Sequence, residues 1–374
     1  MRVLLAPDSF KGSLSAVQFC QIAAAVIKEI EPNSQVISLP LSDGGEGFVE
    51  SFVYAGLAEQ KTLWVADPIG RKTKASYGWQ ETTKTAIVEM AQASGLPKLR
   101  PNERNPLTAN TLGTGQVLKD AIEQGAKRIV LGLGGSATND GGMGALRALG
   151  IDFFDDKGKE IGLGGQALSS IAKISEVPAH LTAIEWVMAC DVTNPLLGDT
   201  GATAIFGPQK GVTEANFAIL EKGLANFADK IQQLNGVEVK EIAGAGAAGG
   251  MAAGFVGLLH AKIEPGFEVL RENLKIDEAM QPVDGKSIDW VFTGEGRMDE
   301  QTAFGKLPMR IAQMANDHQI PCIGICGSLG VDRLEAFTSL FSIVNTPMME
   351  MDAMANAQHL FADCMHNVVP LLKR

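Results

Sequence analysis

GLGGSATNDGG, residues Gly132 to Gly142, holds five glycines, a serine, a threonine, an asparagine and an aspartate in eleven positions. It follows AKRIVL (126–131), an apolar run that reads as a buried strand, and precedes MGALRALG (143–150), which reads as the start of a helix. Glycine lets backbone approach an anion closely and takes positive φ at little steric cost. The free N–H groups at the start of the following helix then face that anion. The stretch therefore reads as a phosphate cradle at the end of a strand, with Gly134, Gly135, Ser136 and Thr138 lining it. Asp140 is placed to face a metal or a bound hydroxyl.

The same order recurs along the chain. RVLLAPDS (2–9) leads into a helix over 15–30, and SQVISLPLSDGGEG (34–47) leads into FVESFVYAG. IEWVMACDV (184–192) ends at TNPLLG, IDWVFTGEG (288–296) precedes a helix near 307–317, and IPCIGICGS (320–328) precedes VDRLEAF. Apolar strands alternating with helices predict parallel sheets covered on both faces. Residues 58–96 alternate instead, with turn signals at Pro68-Ile69-Gly70 and near Glu81, and predict an antiparallel or mixed segment. The glycine- and alanine-rich run 236–255 reads as a helix start in tight backbone contact. A length of 374 residues predicts two domains. Residues 1–60 and 285–374 are expected to form one discontinuous α/β domain and 61–284 the other, with the site in the cleft between them.

Composition narrows the function. A net charge of -11 argues against a nucleic-acid partner, since phosphate contacts need Lys and Arg. No apolar run approaches the roughly 18 residues of a membrane span, and the N-terminal run is too short for a signal peptide, so a cytoplasmic protein is expected. The five cysteines sit in apolar contexts and read as buried thiols. The five histidines match no metal or triad spacing. Neither the P-loop pattern nor the dinucleotide fingerprint after the first strand occurs. The sequence leaves the oligomeric state open.

Acids collect at strand ends: Asp8, Asp43, Asp140, Asp191 and Glu295. Open parallel sheets bind ligands beyond the carboxyl ends of their strands, and Mg²⁺ there takes one or two carboxylates with waters and phosphate oxygens. Any single Asp also reads as a helix N-cap. Lys11, Lys210 and Lys306 stand in glycine-containing loops, where an ammonium can meet a carboxylate or phosphate. Arg297, in GEGRMD, is a further anion-binding candidate.

APDSFKGSLSA (6–16), PLSDGGEGF (40–48), GLGGSATNDGGMG (132–144), CDVTNPLLG (190–198), FGPQKG (206–211), TGEGRMDEQT (293–302) and FGKLP (304–308) together resemble the type I bacterial glycerate kinase family, over a match running from residue 2 to the end. The resemblance implies a flavodoxin-like domain with an inserted second α/β domain, and ATP- and Mg²⁺-dependent phosphorylation of D-glycerate, usually to 2-phosphoglycerate. Other readings of the same site are a 3-kinase, a kinase of another small hydroxy acid, or a non-catalytic sensor of glycerate or a sugar diacid. Phosphoryl transfer needs positioning, charge neutralisation and an acceptor for the hydroxyl proton. The expected assignments follow from these needs. Asp191 is the base, and Lys11 and Asp8 act with it. Ser9, Ser13, Arg297 and Asn194 hold the substrate. Gly134, Gly135, Ser136, Thr138, Asp140, Lys210 and Lys306 hold the nucleotide. Asp43 and Glu295 hold the metal.

Overall fold

The computed structural model describes residues 1–303 and 305–372; Phe304, the first residue of the FGKLP motif, and the last two residues of the chain lie outside them. The chain divides into two compact units, Met1–Ala55 with Phe267–Arg374, and Gly56–Gly266. The described strands are β1 (Arg2–Leu5), β2 (Gln35–Ser38), β3 (Glu59–Ala66), β4 (Lys72–Gln80), β5 (Thr85–Glu89), β6 (Arg128–Gly132), β7 (Phe153–Phe154), β8 (Lys173–Ile174), β9 (Glu185–Ala189), β10 (Lys262–Glu264), β11 (Trp290–Met298), β12 (Cys322–Leu329) and β13 (Ser339–Ser342).

In the first unit a five-stranded sheet runs in the order β13-β12-β11-β1-β2, with every pairing parallel. Counted within the unit this is the doubly wound order 2-1-3-4-5, whose strand order reverses between β1 and β11. The helix Ala16–Ile30 starts where Ser15 and Gln18 form a reciprocal capping box, an arrangement that satisfies two otherwise orphaned donors. Its Phe19, Cys20, Ala23, Val26 and Ile27 pack with Val3 and Leu5 of β1 and with Phe361 and Met365 of the helix Ala357–Val368. Phe19 and Phe361 stack with centroids 4.2 Å apart, and Phe10 meets Phe19 at 6.0 Å. The helix Leu307–Asp317 packs on β11 and β12 outside this cluster. The chain enters this unit at Phe267, before the boundary of 284/285 expected from sequence. Local contacts account for the difference: Arg310 stacks on the Phe267 ring at 5.3 Å, and Arg2 donates to the carbonyls of Gln281 and Lys286.

The second unit carries a six-stranded sheet in the order β10-β9-β6-β5-β4-β3. β3–β4 and β4–β5 are antiparallel, and β5, β6, β9 and β10 are parallel. The mixed sheet expected over 58–96 is present. The turn at 67–71 closes because Asp67 Oδ1 accepts from Ile69 N (3.0 Å) and Arg71 N (2.8 Å), an Asx-type turn. The longest described helix, Glu214–Asn235, was not singled out in the sequence, although Leu220, Leu224, Phe227 and Ile231 recur at helical spacing and are buried. Its capping box, Thr213 with Asn216, and Gly236 in the left-handed region mark its ends. β10 and the β7–β8 hairpin were also missed, being two or three residues long.

Candidate active site

In the first unit the acids gather where the strand order reverses. The backbone continues past β1 along β11: Ala6 N donates to Phe292 O at 2.8 Å and Asp8 N to Gly294 O at 2.9 Å. This brings Asp8 to the carboxyl ends of both strands. The Asp8 carboxylate is buried and accepts the Ser9 N–H at 2.7 Å. Burial and then the neighbouring Asp43 hold its pKa well above the usual carboxylate range; Lys11 opposes this and Glu295 adds to it. Lys11 Nζ pairs with Asp43 Oδ2 at 3.1 Å, and Gly45 N donates to Asp43 Oδ1 at 3.2 Å. Asp43 and, further off, Asp8 push the Lys11 pKa up against the effect of burial. Glu295, 9% exposed, accepts from Thr302 Oγ1 at 2.8 Å and faces Lys306 Nζ at 3.5 Å. Burial raises its pKa despite these partners.

Lys11 tops the tight turn Phe10–Leu14, in which Ser13 Oγ donates to Phe10 O at 3.0 Å and Gly12 takes φ +79°. The Ser13 hydroxyl thus braces the turn. Arg297 lies on the rim, exposed and paired with Asp299 at 3.2 Å. The hydroxyl oxygens of Ser9 and Ser42 are buried with no hydrogen-bond partner among the described residues. Sequence reasoning did not single out Ser42 or Thr302. Ser42 directly precedes Asp43 in the SDGGEG motif, and Thr302 closes the TGEGRMDEQT motif, so each signal was present but unweighted. Asp8, Asp43 and Glu295 outnumber Lys11 and Lys306; burial raises the pKa of both Asp8 and Glu295, and at Asp8 the neighbouring Asp43 adds to it. A hard divalent cation fits such an oxygen-rich, electronegative donor set. No group of three or more Asp, Glu, His or Cys that could hold a metal occurs among the described residues. A Mg²⁺ ion needs only one or two of them when phosphate oxygens and waters complete its shell.

In the second unit the glycine loop leaves β6 at Gly132. Gly134 and Gly135 form an accessible lip, with Gly135 at φ +72°, while Ser136, Thr138, Asn139 and Asp140 turn inward and are buried. The loop is tied to the residues after β5 by Leu96 N to Gly135 O (2.9 Å) and Ala137 N to Ser94 O (2.9 Å). Asp140 accepts four bonds: Oδ2 takes Thr111 N (2.9 Å), Thr111 Oγ1 (2.9 Å) and Gly144 N (3.2 Å), and Oδ1 takes Gly142 N (3.2 Å). It therefore organises the loop and caps the helix Met143–Ala148, and burial raises its pKa in spite of these donors. Thr111 was missed in sequence, because nothing local in TANTLGTG announces a bond to a residue 29 positions away.

Lys210 does not sit as a solvated loop lysine. Its side chain is 1% exposed and Nζ donates to Thr138 O at 2.8 Å. Desolvation lowers its pKa to about 7, with Asp140 acting the other way. Gly249 packs on the same carbonyl: a Cβ there would lie 2.1 Å from Thr138 O, and Ala248, Gly249 and Gly250 are successively left-handed. The glycine-rich run thus makes the tight backbone contact expected of it. Asp191 lies just past β9, partly buried, and Asn194 holds the following turn through Nδ2 to Thr200 O at 2.8 Å. The candidate residues thus form two sets: Asp8, Ser9, Lys11, Ser13, Asp43, Glu295, Arg297 and Lys306 in the first unit, and Gly134, Gly135, Ser136, Thr138, Asp140, Asp191, Asn194 and Lys210 in the second.

A doubly wound sheet with acids and lysines at its reversal point, on a chain that also carries a glycine-rich loop at a strand end, has the framework of an α/β enzyme. The model of the glycerate kinase family matches residues 3–373, and the chain belongs to that family. A glycerate kinase from Halalkalibacterium halodurans is 41% identical over 372 residues, 98% of this chain and 97% of its own length. Glycerate 2-kinase of Escherichia coli K12 is 42% identical over 352 residues, 92% of this chain and 91% of its own. A crystal structure described as a glycerate kinase 2 from Salmonella typhimurium LT2 superposes with a TM-score of 0.84 at 38% identity, covering 100% of this chain and 98% of that one. The chain is accordingly a kinase that transfers a phosphoryl group to an alcohol, with glycerate as acceptor. No described helix is long and apolar enough to cross a membrane.

Proposed function

We propose that this chain transfers the γ-phosphoryl group of Mg²⁺–ATP to the carbon-2 hydroxyl of D-glycerate, giving 2-phosphoglycerate. One observation carries the reading beyond the family: the buried Asp8 carboxyl, pushed up by burial and by Asp43, beside Glu295. A divalent cation, its shell completed by phosphate oxygens and waters, would favour the ionised form of such buried carboxyls. The choice of carbon 2 is supported by the likeness to the E. coli enzyme named a glycerate 2-kinase.

Asp43 and Glu295 are the residues that would hold Mg²⁺, with Asp8 beside them. When bound, the ion neutralises charge on the phosphates and polarises the transferring group. Lys11 anchors the glycerate carboxylate, with Ser9, Ser13, Arg297 and Asn194 orienting the acceptor. The backbone of Gly134 and Gly135, with Ser136 and Thr138, cradles nucleotide phosphates. Asp140 and Lys210 keep that loop in shape, and Lys306 adds a positive charge. Asp191 takes the proton from the carbon-2 hydroxyl at a carboxylate oxygen.

The test is direct. The protein is incubated with ATP, Mg²⁺ and D-glycerate, and the product is identified by phosphorus NMR. The expected product is 2-phosphoglycerate, formed at a rate that EDTA abolishes; 3-phosphoglycerate as sole product would overturn the regiochemistry. Asp191→Asn keeps size but loses the proton acceptor, and kcat should fall by roughly two to four orders of magnitude. A loss lying mainly in ATP affinity would make Asp191 a nucleotide or metal ligand instead.

A further inference from the structure

The 14 methionines of the chain divide sharply by exposure. Nine are buried, and the three exposed ones, Met349 (71%), Met351 (77%) and Met354 (39%), fall together in the stretch MEMDAM, 349–354. They lie on the helix Glu350–Ala355 and at its N-cap. Met348 and Ala353 pin this segment to the first unit by packing against the cluster that holds Phe19 and Phe361. Isolated exposed apolar side chains are ordinary on a protein surface. What sets this group apart is the residue that Met354 covers. Gly12, left-handed at φ +79° in the turn that carries Lys11, faces the Met354 methyl: a Cβ built on Gly12 would lie 3.2 Å from Met354 Cε.

From this contact we infer that Met354 is a site of oxidation by hydrogen peroxide, and that its sulfoxide loosens the Lys11 turn and weakens the hold on glycerate. The inference rests on Lys11 anchoring the glycerate carboxylate. The chemistry is a two-electron oxygen transfer. The sulfur lone pair attacks one peroxide oxygen, the S–O bond forms as the O–O bond breaks, and the proton of the transferred oxygen passes to the departing hydroxide, which leaves as water. Sulfur is oxidised and the peroxide reduced. The product is a polar, chiral side chain in place of a flexible apolar one, and sulfoxide reductases reverse it. Exposure decides where this happens, since the sulfur must be reached from water. The contact decides what it does. The sulfoxide oxygen is a strong acceptor, and the Cα of a glycine gives it no adequate donor, so the oxidised side chain turns to solvent and uncovers Gly12. The turn then keeps its internal bonds to Phe10 O, and Lys11 keeps Asp43 at 3.1 Å, but the apolar contact that backs the turn is gone. Met354 is thus a positioning residue that acts through Lys11.

The experiment treats the full chain with hydrogen peroxide, locates added oxygen by peptide mass spectrometry, and measures KM for glycerate and ATP. Met349, Met351 and Met354 are expected to oxidise ahead of the buried methionines. The glycerate KM should rise about fivefold, with kcat and the ATP KM within twofold, the pattern of lost ground-state binding. Methionine sulfoxide reductase should restore it, which separates the effect from thiol oxidation. Met354→Leu keeps an apolar cover without an oxidisable sulfur, and peroxide should leave its glycerate KM unchanged. The double variant Met349→Leu/Met351→Leu should still respond as the parent does. Met354→Gln, polar as the sulfoxide is, should raise the glycerate KM about as much without any peroxide. The inference is overturned if Met354 stays unoxidised while Met349 and Met351 react, if Met354→Leu responds to peroxide as the parent does, or if Met354→Gln keeps the parent KM. Failure of the Lys11 reading shows separately, as a Lys11→Ala enzyme whose glycerate KM is unchanged.

Discussion

At pH 7 the Lys210 ammonium lies under the glycine loop at 1% exposure, with the Thr138 carbonyl as its hydrogen-bond acceptor at 2.8 Å. Its pKa is lowered from 10.5 to about 7 by desolvation. The sign follows from proton binding. Between the two values the unfolded chain holds the proton and the folded chain releases it, so this group makes stability rise with pH from about 7 toward 10.5. Below the folded value both states are charged and the full desolvation penalty applies. With about 1.4 kcal/mol per pKa unit, that penalty is on the order of 4–5 kcal/mol. Lys210→Met keeps most of the side-chain volume, removes the charge, and loses one hydrogen bond worth roughly 1 kcal/mol. The variant should therefore be more stable than the parent near pH 7, by a few kcal/mol. Its advantage should shrink by about 1.4 kcal/mol per pH unit between pH 7 and 9. Urea titrations followed by tryptophan fluorescence at half-unit pH intervals measure this, since Trp64, Trp79 and Trp186 all belong to the second unit. A stability difference that stays constant from pH 6.5 to 9 would refute the reasoning, because it would mean that Lys210 does not titrate in that range. The same variant should bind ATP more weakly, if the loop held through Thr138 cradles the nucleotide.

Asp8→Asn removes a buried carboxylate whose pKa is raised by burial and by Asp43. Because that group's folded pKa lies above its unfolded one, stability is lost as the pH rises from the unfolded value toward the folded one, and the full penalty persists above it. The variant should gain about 1 kcal/mol near neutral pH, seen as a higher Tm, while activity collapses; a lower Tm would show that Asp8 serves the fold. Gly249→Ala puts a Cβ 2.1 Å from Thr138 O at φ +66°, and equilibrium unfolding should report a loss of about 2 kcal/mol or more. Lys11→Ala should lower kcat/KM by about a hundredfold, equivalent to ~3 kcal/mol, without altering the far-ultraviolet circular dichroism. Near-normal kinetics would take Lys11 out of the site.

Much of this protein could be read without coordinates, for a local reason. Strand, glycine turn and helix are encoded within about 25 neighbouring residues, so β1, β6, β9, β11 and β12 and the acids beyond them stand out in the sequence as apolar runs ending in Asp, Glu or Gly. The family resemblance rests on the same short motifs. Contacts between distant segments were not readable. The sequence places Asp140 at a helix start among the nucleotide-site candidates, but only the fold supplies Thr111 as its partner and with it the bonds that hold the loop. It places Lys210 in a glycine loop, but only packing under Thr138 buries the ammonium and moves its pKa to about 7. It lists Asp8, Asp43 and Glu295 as separate acids, but only the parallel pairing of β1 with β2 and with β11 brings Asp43 and Glu295 close enough to act on the buried Asp8. Backbone preference and motif chemistry act over a few residues and are written in order along the chain. Desolvation and charge coupling depend on what lies within a few ångströms in space, and that is set by the tertiary structure.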